Sequence, residues 1–178
     1  GVSGVAILLE KARVIGQDST LNVGIDIFLW DAEDYGNPTV SDSYCLGSQY
    51  WARNPHKANY NPIYGINLDM VGALHARFTQ EGQSFNYAPR VVNKVWNTAS
   101  KIGYGIFFSP VKTDAIIDDH VYINQIANIP MIDISDQWPG NPPFFGQWHT
   151  HEDDLKVISK ETLQAVGQTV LTVVYNDQ

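Results

Sequence analysis

Apolar residues recur every three or four positions in several stretches of the chain, which is the spacing of an amphipathic helix. Residues 1–15 follow this pattern and predict a helix that starts with the chain. Residues 159–175 repeat it, with Ser159 placed to cap the helix N-terminus. Shorter helical patterns cover 43–53, 84–102 after Pro89, and 122–126.

Runs of consecutive apolar residues predict buried strands between these helices. The three strand candidates are 22–30, 64–70 and 129–134. A polar turn at 31–38 follows the first candidate, and a loop rich in Pro, Gly and aromatic residues covers 135–150. Alternating strands and helices predict an α/β sandwich, and we find no repeat or linker, so residues 1–178 form one domain.

Composition narrows the classes of partner. The 178 residues are 44% hydrophobic and 17% charged, which is enough apolar material for a folded core. Eleven Lys and Arg face nineteen Asp and Glu, for a net charge of -8, which argues against binding to nucleic acid or to an anionic membrane. The apolar runs are strand-sized, so we expect no membrane insertion. The single Cys45 excludes a disulfide framework within the chain and a cysteine-rich metal site, and we expect a buried structural thiol there.

Two acidic clusters follow predicted strands, where the sites of α/β proteins gather. Glu33 and Asp34 come after the strand that ends at Trp30. They form either a solvated acidic turn or a metal site in which one carboxylate binds the ion and the other moves protons. Asp69 ends a second apolar strand, and it is either paired structurally or part of a site, because a lone buried carboxylate is costly.

Two further clusters contain histidine. Asp118 and Asp119 precede His120 and predict either a helix N-cap, which an isolated acidic pair favours, or metal ligands. His149 follows an aromatic loop and is either an ordinary loop residue, the commoner case for a lone histidine, or a zinc ligand, since a neutral imidazole in a dry pocket suits zinc. We expect His56, His75 and His151 to be surface or loop residues without a role as ligands.

Taken together, the four clusters resemble the zinc-dependent exopeptidase (M28-type) family, which includes bacterial aminopeptidases and animal-type (type II) glutaminyl cyclases. In chain order the motifs are Glu33-Asp34, Asn67-Leu68-Asp69-Met70, Asp118-Asp119-His120 and Trp148-His149-Thr150. The resemblance covers the whole chain. It implies a three-layer α/β sandwich with a central mixed β-sheet flanked by helices, the phosphorylase/hydrolase-like fold, with the N-terminal strands of the family missing.

The resemblance to the cyclases implies a role for each motif residue. Trp148 before His149 and Phe144 four residues before Trp148 are cyclase-like, whereas Asn67-Leu68-Asp69-Met70 is close to the aminopeptidases. Asp34 departs from the second Glu that is common in both branches. The implied zinc ligands are Asp34 and His149. The implied catalytic residues are Glu33, as general acid/base, with Asp69 and Asp119 in a carboxyl network around it. The implied lining of the glutamine pocket is Phe144 and Trp148.

The implied activity is zinc-dependent conversion of the N-terminal glutamine of peptides to pyroglutamate. One Zn²⁺ suffices for that reaction, and the alternative, a zinc aminopeptidase, uses two, with Asp69 as a ligand of the second. A third alternative is a family member that has lost its activity and serves in binding. The family's remaining zinc ligand is an Asp expected just before Gly1, so we expect the chain to be a C-terminal fragment. We also expect a monomer that is exported to the periplasm or secreted.

Overall fold

Helices and strands alternate along the chain in the computed structural model, which describes residues 1–139 and 144–177. The helices are α1 (Val2–Ile15), α2 (Leu46–Arg53), α3 (Gly82–Tyr87), α4 (Pro89–Lys101), α5 (Asp119–Ala127) and α6 (Lys160–Tyr175), with a 3₁₀ turn at Leu155–Val157. The strands are β1 (Gly65–Leu68), β2 (Phe78–Gln80), β3 (Phe108–Lys112) and β4 (Met131–Ile134). This order confirms the predicted α/β class.

The four strands form two parallel pairs. β1 pairs with β4, and β2 pairs with β3 in a register that shifts along the strands. An isolated antiparallel bridge joins Phe78 of β2 to Asp136, two residues beyond the end of β4. Parallel pairs connected by an antiparallel contact agree with the mixed sheet that was expected.

Side chains of β4 alternate between two layers of helices, as the period of a strand requires. Ile132 and Ile134 join the larger core, which α1, α4 and α6 cover. Met131 points to the opposite face and packs with Ile123 of α5 and Ala52 of α2. The sheet therefore lies between two helical layers, and polar side chains on the α5 face, such as Asp133, are enclosed beneath α5.

Most of the predicted elements are present. α1, α2, β1, β4, α5 and α6 lie within or close to their predicted ranges, and Ser159 caps α6 by accepting a hydrogen bond from the Thr162 N–H. The helical pattern at 84–102 is divided in two, because α4 begins at Pro89 and α3 ends before it. Two short strands, β2 and β3, were not predicted.

The strand predicted at 22–30 is wrong. Within the described residues, this segment makes no backbone hydrogen bond to a neighbouring strand, which a β-strand requires. Leu29 in it is 60% exposed. Contacts of side chains hold the segment instead: Phe28 stacks on Trp30, and the Tyr60 hydroxyl donates to Asp26.

No helix of the described residues combines the length and the apolar character needed to cross a membrane.

Phe78 tests the larger core. Its side chain is fully buried, with its ring centroid 5.1 Å from that of Phe108. We expect Phe78→Ala to lower the free energy of unfolding by about 3–5 kcal/mol, because the substitution leaves a cavity in the core. Denaturation in urea measures this. Leu155→Ala is the control, because Leu155 is 88% exposed and its loss should change stability by less than about 0.5 kcal/mol. Equal effects of the two substitutions would contradict this assignment of the core.

Candidate active site

Residues from all four motifs line one cavity of about 760 Å³, a size typical of small-ligand sites. Asp69 directly follows β1, Asp118 directly precedes α5, and Glu33 lies where α2 approaches the segment after residue 30. The lining includes Glu33, Asp34, Asp69, Asp118, Phe144, Trp148 and His149. The structure therefore brings together residues that are more than 110 positions apart in the chain.

Asp34 and His149 form the exposed part of this site. The His149 Nε2 atom lies 3.4 Å from Asp34 Oδ1. Two ligands of a tetrahedral zinc ion with bonds of about 2.0–2.1 Å are separated by about 3.3 Å. The observed spacing and the donor types, an imidazole nitrogen and a carboxylate oxygen, therefore fit two corners of a zinc site. Within residues 1–139 and 144–177, no third His, Cys, Asp or Glu forms a compact ligand group with this pair.

Aromatic rings line the cavity beside His149. The Trp148 and His149 rings stack, with centroids 4.0 Å apart and planes inclined by 19°. The Phe144 ring lies 4.7 Å from that of Trp148. The stacking on Trp148 restricts the orientation of the His149 imidazole.

Glu33 is the half-buried carboxyl group of the site. The pKa of Glu33 is raised to about 7. Burial is the largest cause, and the negative charges of Asp34, Asp69 and Asp119 contribute the rest of the rise. A carboxyl group with a pKa near neutrality can both accept and return a proton at physiological pH. The geometry therefore gives Glu33 the properties of a general acid/base.

Asp119 lies deeper than Glu33. Its side chain lines a smaller cavity of about 230 Å³ that Glu33, Asp69 and Asp118 also line. Burial raises the pKa of Asp119 to about 6, the charge of Asp69 adds to the rise, and the Ser48 hydroxyl and Cys45 thiol oppose it. The three predicted catalytic carboxyl groups, Glu33, Asp69 and Asp119, are therefore close enough to influence one another.

Asp118 is a site residue that the sequence analysis treated only as part of a cap or ligand cluster. It does cap α5, because its carboxylate accepts from the Asp119 N–H. One of its oxygens also lies within 4.8 Å of a Glu33 oxygen and the Cys45 sulfur. Asp118 lines both cavities, whereas Asp119 lines only the smaller one. The sequence signal was the acidic pair itself, which does not tell which member faces the site.

Neither cavity is lined by Cys45, His56, His75 or His151. Cys45 is buried, as predicted, and burial raises the pKa of its thiol further above the usual range, which disfavours the thiolate. His56 packs among the rings of Phe28, Trp51 and Tyr60. His75 and His151 are exposed, in agreement with the prediction.

Known proteins share this arrangement of elements. A Zn-dependent exopeptidase from Parabacteroides distasonis ATCC 8503 is 49% identical, with a TM-score of 0.95, over 99% of this chain and 62% of that chain. Glutaminyl cyclase from Bacteroides thetaiotaomicron, bound to N-acetylhistamine, is 47% identical, with a TM-score of 0.94, over 100% of this chain and 62% of that chain. Aminopeptidase YwaD from Bacillus subtilis (strain 168) is 29% identical over 184 residues, which are 97% of this chain and 36% of that protein.

This chain thus spans less than two thirds of the length of these relatives. The family model for peptidase family M28 matches residues 1–174. Because that match extends over almost the whole chain, the chain belongs to peptidase family M28.

Proposed function

We propose that the protein is a zinc-dependent glutaminyl cyclase, which converts an N-terminal glutamine of a peptide to pyroglutamate and releases ammonia. The observation that carries this proposal is the content of a single cavity. It combines a ligand pair, Asp34 and His149, with a carboxyl group titrating near neutrality, Glu33, and an aromatic wall. The likeness to solved glutaminyl cyclases supports it.

Asp34 and His149 would hold the zinc ion, and the third ligand would be the Asp that the resemblance to the family leads us to expect before Gly1. Gly1 lines the same cavity as Asp34 and His149, so the residue before it would lie near the pair. When bound, a zinc ion supplies Lewis-acid stabilisation of the negative charge that develops on the amide oxygen of the substrate.

Glu33 would move the proton. The α-amino nitrogen of the substrate attacks the carbonyl carbon of its own glutamine side chain, which forms the new C–N bond. Glu33 accepts a proton from that nitrogen and returns it to the side-chain nitrogen, and ammonia leaves as the old C–N bond breaks. The reaction is intramolecular, so the covalent structure of the substrate already supplies much of the positioning.

Phe144 and Trp148 would hold the glutamine side chain. Their rings, 4.7 Å apart, form a flat apolar surface next to His149, against which the methylene groups of glutamine can pack. Such packing excludes water from the reacting carbonyl group, and the polar amide remains directed towards Asp34, His149 and Glu33.

A zinc aminopeptidase is the second candidate function. Asp69 favours it, because this residue lines the same cavity as Asp34 and could bind a second zinc ion. The 29% identity to an aminopeptidase over 97% of the chain supports this alternative. Glu33 would then activate a water molecule, and the products would be a free amino acid and a shortened peptide.

The reaction distinguishes the two candidates. We expect the full-length, zinc-loaded protein to release ammonia from a peptide that begins with glutamine and to leave the peptide bonds intact, as mass spectrometry would show. Glu33→Gln should lower kcat by about 10²- to 10⁴-fold, because it removes the proton carrier. Glu152→Gln, an exposed change near His149, should retain activity. Release of the first residue would support the aminopeptidase, and no reaction with zinc bound would support a binding role.

Zinc affinity tests the ligand pair. His149→Asn should weaken zinc binding by more than about 100-fold, because the site loses a direct ligand. His151→Asn is the matched control, since His151 lies two residues away in the same loop and is exposed. Competition with a chromogenic chelator measures both affinities. Equal zinc affinities of these two variants would contradict the assignment of His149 as a zinc ligand.

The pH dependence of stability tests the environment of Glu33 in the metal-free protein. The pKa of Glu33 rises from 4.5 to about 7 on folding. Between these two pH values, the folded state therefore keeps a proton that the unfolded chain releases. The contribution of Glu33 to stability is therefore greatest below about pH 4.5 and is lost as the pH rises through about 7. We expect Glu33→Gln to flatten this decline in urea denaturation series from pH 4.5 to 8. A decline of unchanged slope would contradict the assigned pKa.

A further inference from the structure

A buried amide joins two carboxylates behind the cavity. The Asn67 Nδ2 atom donates to Asp118 Oδ2 at 3.0 Å and to Asp133 Oδ1 at 3.1 Å. Asn67 lies on β1, Asp133 on the neighbouring β4, and Asp118 at the start of α5. All three side chains are at least nine-tenths buried. One amide group thus connects the two strands to the helix whose first residues face Glu33.

The surroundings of this pair of carboxylates are acidic. Glu81 lies next to the cluster and is 3.1 Å from His120 Nε2. Backbone N–H groups of Gln83, Ser84 and Ile116 also donate to Glu81, so its carboxylate is already satisfied. In the part of the chain that the structure describes, Asp133 Oδ2 and His120 Nδ1 have no hydrogen-bond partner. Asn67 is therefore the donor that Asp118 and Asp133 share.

Without that donor, the Asp118 and Asp133 carboxyl groups would lose the hydrogen bonds that join them through Asn67. A hydrogen bond to a buried carboxylate stabilises it, and loss of the donor leaves its full desolvation cost uncompensated. Burial and the neighbouring charges raise the pKa of both Asp118 and Asp133 well above the usual range, in line with this cost. Asp118 lies within 4.8 Å of Glu33, so any movement of Asp118 changes the distance between these two groups.

We propose that Asn67 is a positioning residue of the active site, whose amide holds the Asp118 carboxyl group beside Glu33. The proposal rests on the proposed function, because Glu33 is the group whose surroundings Asn67 maintains. Asn67 lines the smaller cavity with Glu33 and Asp118, but it is absent from the lining of the larger cavity, where the ligand pair and the aromatic wall lie. Its effect should therefore fall on turnover and leave zinc binding unchanged.

Replacement of the Asn67 amide by a carboxylate provides the kinetic test. Asn67→Asp removes both donors and adds a third carboxylate at nearly the same volume. In full-length, zinc-loaded protein acting on a peptide that begins with glutamine, we expect kcat to fall on the order of 10- to 100-fold, with KM and zinc content unchanged. Asn67→Ser, which can donate to only one carboxylate at a time, should be intermediate.

Asn124→Asp is the matched control. Asn124 is an equally buried amide, and it fastens α5 to β4 through the backbone oxygens of His120 and Met131. Its substitution should lower the unfolding temperature but leave kcat within about twofold of the wild type, because it contacts no carboxylate of the site. Wild-type kcat in Asn67→Asp, or an equal loss in Asn124→Asp, would overturn the proposal.

Crystal structures separate this proposal from the proposed function. We expect the Asp118 and Glu33 carboxyl groups to move apart in Asn67→Asp, or in Asn67→Ser if the former does not fold. If the wild type acts on neither glutamine peptides nor aminopeptidase substrates, the proposed function fails, and these distances still decide the role of Asn67. An unchanged distance in the single variants would overturn it.

Discussion

The free-energy cost of bringing carboxyl groups out of water determines how this site is built. Glu33, Asp69, Asp118 and Asp119 gather around two adjoining cavities, and Asp133 lies directly behind them. Like charges at short range in a poorly solvated region repel one another strongly. The fold can keep these carboxyl groups together by supplying hydrogen-bond donors to them, by keeping some of them protonated, or by placing cations beside them.

The chain uses the first two of these means in the buried part of the site. The N-terminus of α5 and the amide of Asn67 supply donors to Asp118. The raised pKa values of Glu33 and Asp119, about 7 and about 6, favour retention of protons on these groups. The same burial and repulsion suit Glu33 to proton transfer, since a carboxylate with an ordinary pKa is a weaker base at neutral pH.

An element could be predicted from the sequence when its own residues carry a clear hydrophobic pattern. α1 and α6 are long and periodic, so their patterns predicted them within a residue or two. β2 has only three residues, and β3 contains Pro110, so neither presents an apolar run. The apolar run at 22–30 has the composition of a strand, but pairing is a property of two segments, and its sequence could not reveal whether a neighbour is present.

The site shows the same division. The motifs named Glu33, Asp34 and His149 as candidate site residues, and the fold brings these three residues to one cavity. Asn67 has no such signature. Its proposed positioning role depends on its burial and on its hydrogen bonds to two carboxylates, which are 51 and 66 residues away in the chain. A polar residue inside an apolar strand is costly unless it is paired. Asn67 is such a residue and lies two residues before Asp69 of the motif. The sequence indicates that it needs a hydrogen-bond partner, but only the folded structure identifies that partner.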